Sequence, residues 1–293
     1  MENKMNDNRV PRERVAILID SGCDVTEELI RQYNMKLLRL HVIYPEKDYS
    51  DDLDISPQTV YERFPGEIPH TSTPSPQEVK DMADELKREG YTHVLAFAIS
   101  SGLSGTYNTM CSVLNEEEEL TSFVLDTRNI SFGSGVLAVW AAQKLEEGMP
   151  YEELVRLLPG KVQDSKILYY MDTLTYLQKG GRIGLVTSIV GNILNLKPII
   201  SCNGEGVYYT VAKIRGSKQG MTKLLAEAKD FAGDGPVWFS LLNVIAAAAS
   251  NEMLKRITEA LPEGKHLLSK QIAASLAVHT GPGLLGIGIL KNP

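Results

Sequence analysis

The chain has 293 residues, 43% of them hydrophobic, and a formal net charge of −7. That hydrophobic share excludes a disordered chain, and an acidic balance without a long basic stripe excludes a dedicated nucleic-acid binder. No apolar run reaches the ~20 residues of a spanning helix, and three cysteines without CxxC spacing, Cys23, Cys111 and Cys202, give no zinc knuckle and suit reduced thiols in the cytoplasm.

Residues 1–12 are polar, lack the apolar core of a signal peptide and read as a flexible tail. An apolar strand at 15–19 leads into Asp20-Ser21-Gly22-Cys23-Asp24 and a helix from Val25, for which Asp24 and Glu27 make a capping box. A second strand is predicted over 37–43, followed by a polar, acidic excursion over 44–55 and a short helix from Ser56-Pro57. In TSTPSP, Thr71 to Pro76, Ser75 is a strong N-cap, Pro76 the first helical residue and Glu78 the third member of a capping box; this helix stops at Gly90. An apolar strand at 93–99 then meets the stretch SSGLSGTYN, Ser100 to Asn108, and a helix from Thr106. Glu116 to Glu119 read as a solvated helix end, and 122–126 as a strand that runs through Thr127-Arg128-Asn129 and Gly133-Ser134-Gly135 into an apolar helix.

Three strand–polar loop–helix units before residue 150 imply a parallel sheet covered by helices, with all three loops opening at its carboxyl edge. After a connector helix at 151–162 the pattern changes to hairpins mixed with helices, including a turn at Asn203-Gly204-Glu205-Gly206 and two final strands flanking His279-Thr280-Gly281-Pro282-Gly283. The expected architecture is therefore α/β in two domains: an N-terminal parallel-sheet αβα domain over 13–163 and a C-terminal two-layer α+β domain over 164–293.

The five histidines show no metal-ligand spacing, and Walker, GxGxxG and GxSxG patterns are absent, which weakens nucleotide-enzyme and esterase readings. What remains is rich in hydroxyls. Small residues and unpaired N–H groups between a strand end and a helix start suit a carboxylate or phosphate; a well-capped helix with Ser104 as N-cap explains Ser100 to Asn108 equally. Thr71, Ser72, Thr73, Ser100, Ser101, Ser104 and Thr106 are candidates to converge with His279, which a purely structural turn would also accommodate. Ile183, Val186, Val190 and Ile193 fall on one helical face; with Leu95, Phe97 and Leu168 they are candidate pocket lining, or simply core. Lys179, Arg182, Lys213, Arg215 and Lys218 are local basic spots on an acidic chain.

These motifs, in this order, resemble the DegV family, and within it the fatty-acid-binding FakB type. The residues that carry the resemblance are Asp20-Ser21 with Asp24, TSTPSP, SSGLSGTYN, VLDT at Val124 to Thr127, LQKGGRI at Leu177 to Ile183, LKPI at Leu196 to Ile199, and HTGPG at His279 to Gly283. It implies two α/β domains with a long-chain fatty acid buried at their junction. The carboxylate would be held by Thr71 or Ser72, by Ser104 with Ser101 as neighbour, and by His279. It implies no cofactor and no catalysis by this chain. The bound acid would be presented to a separate ATP-dependent fatty acid kinase through Arg215, with Lys213, for phospholipid synthesis, with transient membrane contact. The helix after GGRI would lie over the acyl site. Thr73 stands where the family often has Gln, and Cys23 sits inside the first polar loop. Two other readings are a serine hydrolase or acyltransferase with Ser104 as nucleophile and His279 as base, and a regulatory module for another carboxylate.

Overall fold

A computed structural model describes residues 13–189, 196–215 and 217–293; the side chains of 187–189, 196, 215, 217 and 218 are outside the description. The expected tail, and Val190, Ile193 and Leu194 of the predicted helical face, lie outside the described residues.

In chain order the first part forms β1 (Val15–Asp20), α1 (Glu27–Gln32), β2 (Lys36–Leu38), β3 (His41–Tyr44), β4 (Lys47–Ser50), α2 (Pro57–Arg63), β5 (His70–Ser72), α3 (Pro76–Arg88), β6 (His93–Ala98), α4 (Thr106–Leu114), β7 (Thr121–Asp126), α5 (Phe132–Glu146) and α6 (Tyr151–Lys161). The second part adds β8 (Ser165–Tyr170), α7 (Thr175–Lys179), β9 (Leu196–Cys202), β10 (Tyr208–Arg215), α8 (Ser217–Ala232), β11 (Val237–Asn243), α9 (Ala247–Ala260), β12 (Lys265–Gln271), α10 (Ala274–Thr280) and β13 (Leu285–Lys291).

The first sheet is parallel, in the order β2-β1-β6-β7. Its side chains alternate between two cores, as the period of two in a strand requires. Ile17, Ile19, Leu95 and Phe97 face the central core, whereas Ala16, Leu18, Val94 and Ala96 face α3 and α4. The second sheet, β10-β9-β8-β13-β11-β12, is antiparallel except for the β11–β12 pair. In β8, Ile167 and Tyr169 face the central core, while Leu168 and Tyr170 face α8 and α9. Helix α5 lies between the sheets, packed on β1 and β6 of one and β8 and β13 of the other. It is buried from Phe132 to Ala142, which explains an apolar sequence with no polar stripe. The α/β fold with a parallel first sheet and a mostly antiparallel second sheet is thus built around one shared helix.

The structure departs from the sequence expectation in several places. The predicted strand at 37–43 is two strands, because β2 completes the parallel sheet while β3 leaves it to form a small antiparallel sheet, β4-β3-β5. Thr71 and Ser72 therefore lie on a strand, not in a loop. Helix α1 is capped by Thr26, whose side chain accepts from the Leu29 amide; Asp24 is buried in a left-handed conformation instead. Glu117 is not solvated: it is largely covered and pairs with Lys80 at 2.5 Å and Lys87 at 2.8 Å. The capping box of α3 forms as predicted, with Ser75 and Glu78 exchanging bonds and Pro76 in the first turn.

Candidate functional site

Strand β5, the loop after β6, the segment after α7 and α10 meet around a partly enclosed cavity of about 80 Å³. Its polar lining includes Thr71, Ser72, Ser104, Arg182, Ser275 and His279; its apolar walls include Ile99, Leu103, Ile130, Tyr169, Tyr208 and Leu276. It adjoins the carboxyl end of β6, where ligands of open α/β sheets sit. A larger, open groove of about 680 Å³ runs past Asp20, Arg39 and Lys270, away from every predicted ligand residue.

His279 is the hub. The sequence reading put it in a turn between strands, but residues 274–280 are helical, and His279 occupies the last turn of α10. Its Nε2 is 2.8 Å from Thr71 Oγ1, across 208 positions of sequence. Its Nδ1 is buried without a hydrogen-bond partner among the described residues. Burial first, and the nearby Arg182 charge second, push its pKa down to about 3, so the imidazole is neutral at physiological pH. Gly180 backs directly onto the ring: a Cβ there would sit 2.1 Å from His279 Nδ1. Gly180 of LQKGGRI is what lets the end of α7 close against the histidine.

Among the described residues, Arg182 is the one charged side chain lining the cavity. Its Nη1 donates to the Gly180 carbonyl at 2.7 Å and its Nε to the Leu103 carbonyl at 3.3 Å, while Nη2 has no partner among the described residues. Among the described residues the guanidinium is held by backbone oxygens and pairs with no carboxylate, in a partly apolar setting. Such a site favours an anion with hydrogen-bond acceptors.

Ser104 lines the cavity and shares a 2.8 Å bond between its Oγ and Thr106 Oγ1, while the same Oγ accepts from the Thr106 amide at 3.3 Å. The N-cap of α4 is Gly105, so Ser104 is half-buried one position earlier. Ser104 and His279 are not hydrogen-bonded to each other, and a nucleophile–base pair of the serine-hydrolase kind is not formed among the described residues. Ser101 does not join the cavity. It is exposed, and its Oγ donates to Asp126 Oδ2 at 2.6 Å. Ser100 is buried and donates to the Gly206 carbonyl, tying this loop to the β9–β10 turn. Ile183 is half-buried just before a 3-10 segment, Gly184–Ile189, that packs on β10 and on which Val186 is buried; neither lines the cavity, nor do Leu95, Phe97 and Leu168. Lys213 is exposed on β10, and the side chain of Arg215 lies outside the described residues.

The DegV family model, described as "Uncharacterised protein, DegV family", matches residues 14–292. The chain belongs to the DegV family. It is 39% identical to a DegV domain-containing protein of Clostridium acetobutylicum over 284 residues, covering 96% of this chain and 100% of the relative. It is 30% identical to a protein of Thermotoga maritima named a fatty acid-binding protein, over 94% of this chain and 97% of that one. A solved DegV structure from Thermus thermophilus, described as fatty acid binding, superposes with a TM-score of 0.88 at 28% identity, covering 94% of this chain and 99% of that one. Sequence reasoning grouped Arg182 with surface basic spots and missed Ser275, Tyr169 and Tyr208. Arg182 stood next to the glycine pair and was findable; Ser275 was not, because its i, i+4 relation to His279 appears only once 274–280 is known to be helical.

Among the described residues no group of side chains is arranged to hold a metal ion, and no helix is long and apolar enough to cross a membrane.

Proposed function

We propose that this DegV protein binds a long-chain fatty acid with its carboxylate against Arg182, Thr71, Ser104 and His279, and carries it as a non-catalytic subunit of the FakB type. The observation that carries this reading is the Arg182 guanidinium, with no carboxylate partner among the described residues, lining one cavity with hydroxyls, a neutral imidazole and apolar walls. Charge-assisted bonds to the head group, about 1.5–3 kcal/mol each, offset its desolvation. Burying ~14 methylenes at ~0.8 kcal/mol contributes roughly 11 kcal/mol before binding costs. A space of about 80 Å³ matches a head group, so seating the tail requires the apolar wall to part. Tyr169 and Tyr208 suit that wall, because burial raises both hydroxyls well above their usual pKa and keeps them neutral.

In this reading 13–163 and 164–293 act as two domains with the ligand at their junction, in the cytoplasm. A separate ATP-dependent fatty acid kinase docks near Lys213 and Arg215 and phosphorylates the carboxylate, with transient membrane contact at delivery. Mass spectrometry of lipid extracted from the purified chain tests the binding step: a stoichiometric long-chain acid, lost in Arg182→Gln, is expected. Protein that neither retains nor takes up such an acid overturns the reading. For the partner, Lys213→Glu is expected to slow acyl-phosphate formation by a fatty acid kinase without weakening acid binding; an unchanged rate removes Lys213 from the docking face.

A further inference from the structure

The start of α10 is held in an unusual way. The first amides of a helix have no partner within it, and here three consecutive ones are taken by aspartates from the other end of the chain. Ala273 N donates to Asp24 Oδ1 at 2.7 Å, Ala274 N to Asp52 Oδ1 at 3.1 Å, and Ser275 N to Asp51 Oδ1 at 2.8 Å. Asp51 does more than accept one amide. Its Oδ2 also takes the Ser275 hydroxyl at 2.5 Å, so its two oxygens grip the backbone and the side chain of one residue. Asp51 is fully buried. Ser21 Oγ donates to its Oδ2 at 2.7 Å, its amide bonds the Leu40 carbonyl, and Arg39 holds its own carbonyl. The gripping carboxylate is therefore fixed to the segments that leave β1 and β2.

Ser275 and His279 are four residues apart on one helix, hence on one face, and both line the cavity. A single bond at a helix start leaves the helix free to roll about its axis. A two-point grip on one residue fixes that roll, and with it the direction in which His279 points one turn later. We infer that Asp51 is a positioning residue for ligand binding: by gripping Ser275 at both N and Oγ it sets the rotation of α10 and so aims His279 at Thr71 and the head group. Asp52, exposed and bonded to one amide, holds the helix end without setting its roll. This inference rests on the reading of His279 as a ligand-binding residue.

The test is a mutant cycle on the full chain, read by calorimetric titration with oleate at one fixed pH. Asp51→Asn is expected to bind about tenfold more weakly than wild type, and Asp52→Asn within about twofold of it. His279→Ala is expected to lose at least as much as Asp51→Asn. The double variant Asp51→Asn/His279→Ala should bind no more than about twofold more weakly than His279→Ala alone, because Asp51 acts through the histidine. In ligand-free protein the His279 imidazole NMR resonance should move in Asp51→Asn, a change that general loss of stability does not produce. If His279→Ala binds weakly while Asp51→Asn binds normally, or if the two losses multiply, the positioning role is overturned and the binding site stands. If His279→Ala binds like wild type, the reading beneath it falls as well. Should Asp51→Asn not fold, Ser275→Ala removes half of the grip and enters the same cycle; a multiplicative loss there indicates direct ligand contact and overturns the inference.

Discussion

Replacing Gly180 with alanine isolates the contact that closes the site. The backbone at Gly180 has φ −79°, which alanine adopts without strain. On local grounds the substitution would even stabilise by about 0.5–1 kcal/mol. The added Cβ, however, lands 2.1 Å from His279 Nδ1 and 2.7 Å from Cε1, against an ordinary contact of about 3.5–4.0 Å. The ring must retreat by more than about 1 Å, or α7 must lift away from it. Either movement breaks the 2.8 Å bond between His279 Nε2 and Thr71 Oγ1. Overpacking of this kind costs about 1–3 kcal/mol, so Gly180→Ala should unfold at a lower temperature and bind a long-chain acid about five- to tenfold more weakly. Gly181→Ala is the matched control. Its φ is +70° and nothing lies within 4 Å of the new Cβ, so it should lose about 1–2 kcal/mol of stability and keep its affinity. Thermal unfolding of the free protein and calorimetric titration with oleate measure the two effects separately. Wild-type affinity in Gly180→Ala, or an equal loss in both variants, refutes the argument.

Arg182→Gln removes the only charge that the described residues place on the cavity wall and should lower acid affinity by about 10- to 100-fold, with little change in unfolding temperature; a loss under threefold would move the carboxylate elsewhere. Ser104→Ala should weaken binding severalfold, whereas Ser101→Ala, turned outward to Asp126, should not; equal effects would contradict the placement of this loop. Asp20 is fully buried and its pKa is pushed up from the usual carboxylate range to about 7, by burial first. A carboxyl raised in the folded state contributes stability below its unfolded value near 3.8 and loses it as pH rises through 7. Asp20→Asn escapes that loss while its side-chain carbonyl can still accept from the Ile99 amide, so its advantage over wild type should grow by a few kcal/mol between pH 5 and pH 8. A pH-independent difference in unfolding temperature would show that the buried carboxyl is not the titrating group.

Much of the fold was readable in one dimension because its signals are local. Apolar runs ending in Asp20, Ser100 and Asp126 define parallel strands with loops at one edge, and Ser75-Pro76 with Glu78 carries its own capping geometry. Thr71, Ser104 and His279, legible as motif residues, do line one cavity. Non-local pairing was not readable. Residues 37–43, LLRLHVI, contain no glycine, proline or other turn residue to mark where β2 ends and β3 departs to another sheet. The sequence by itself determined which segments form strands with alternating faces, and which hydroxyls, glycines and histidine were available for a head group, since those follow from periodicity and residue chemistry. The tertiary structure alone decided which of those groups meet. It turned Ser101 outward, brought Arg182 in, buried His279 until it stayed neutral, and joined Asp51 to Ser275 across 224 positions. The physical reason is that burial and hydrogen bonding between distant residues depend on how α10 packs against α2, α7 and the small sheet β4-β3-β5, and no local pattern encodes that packing.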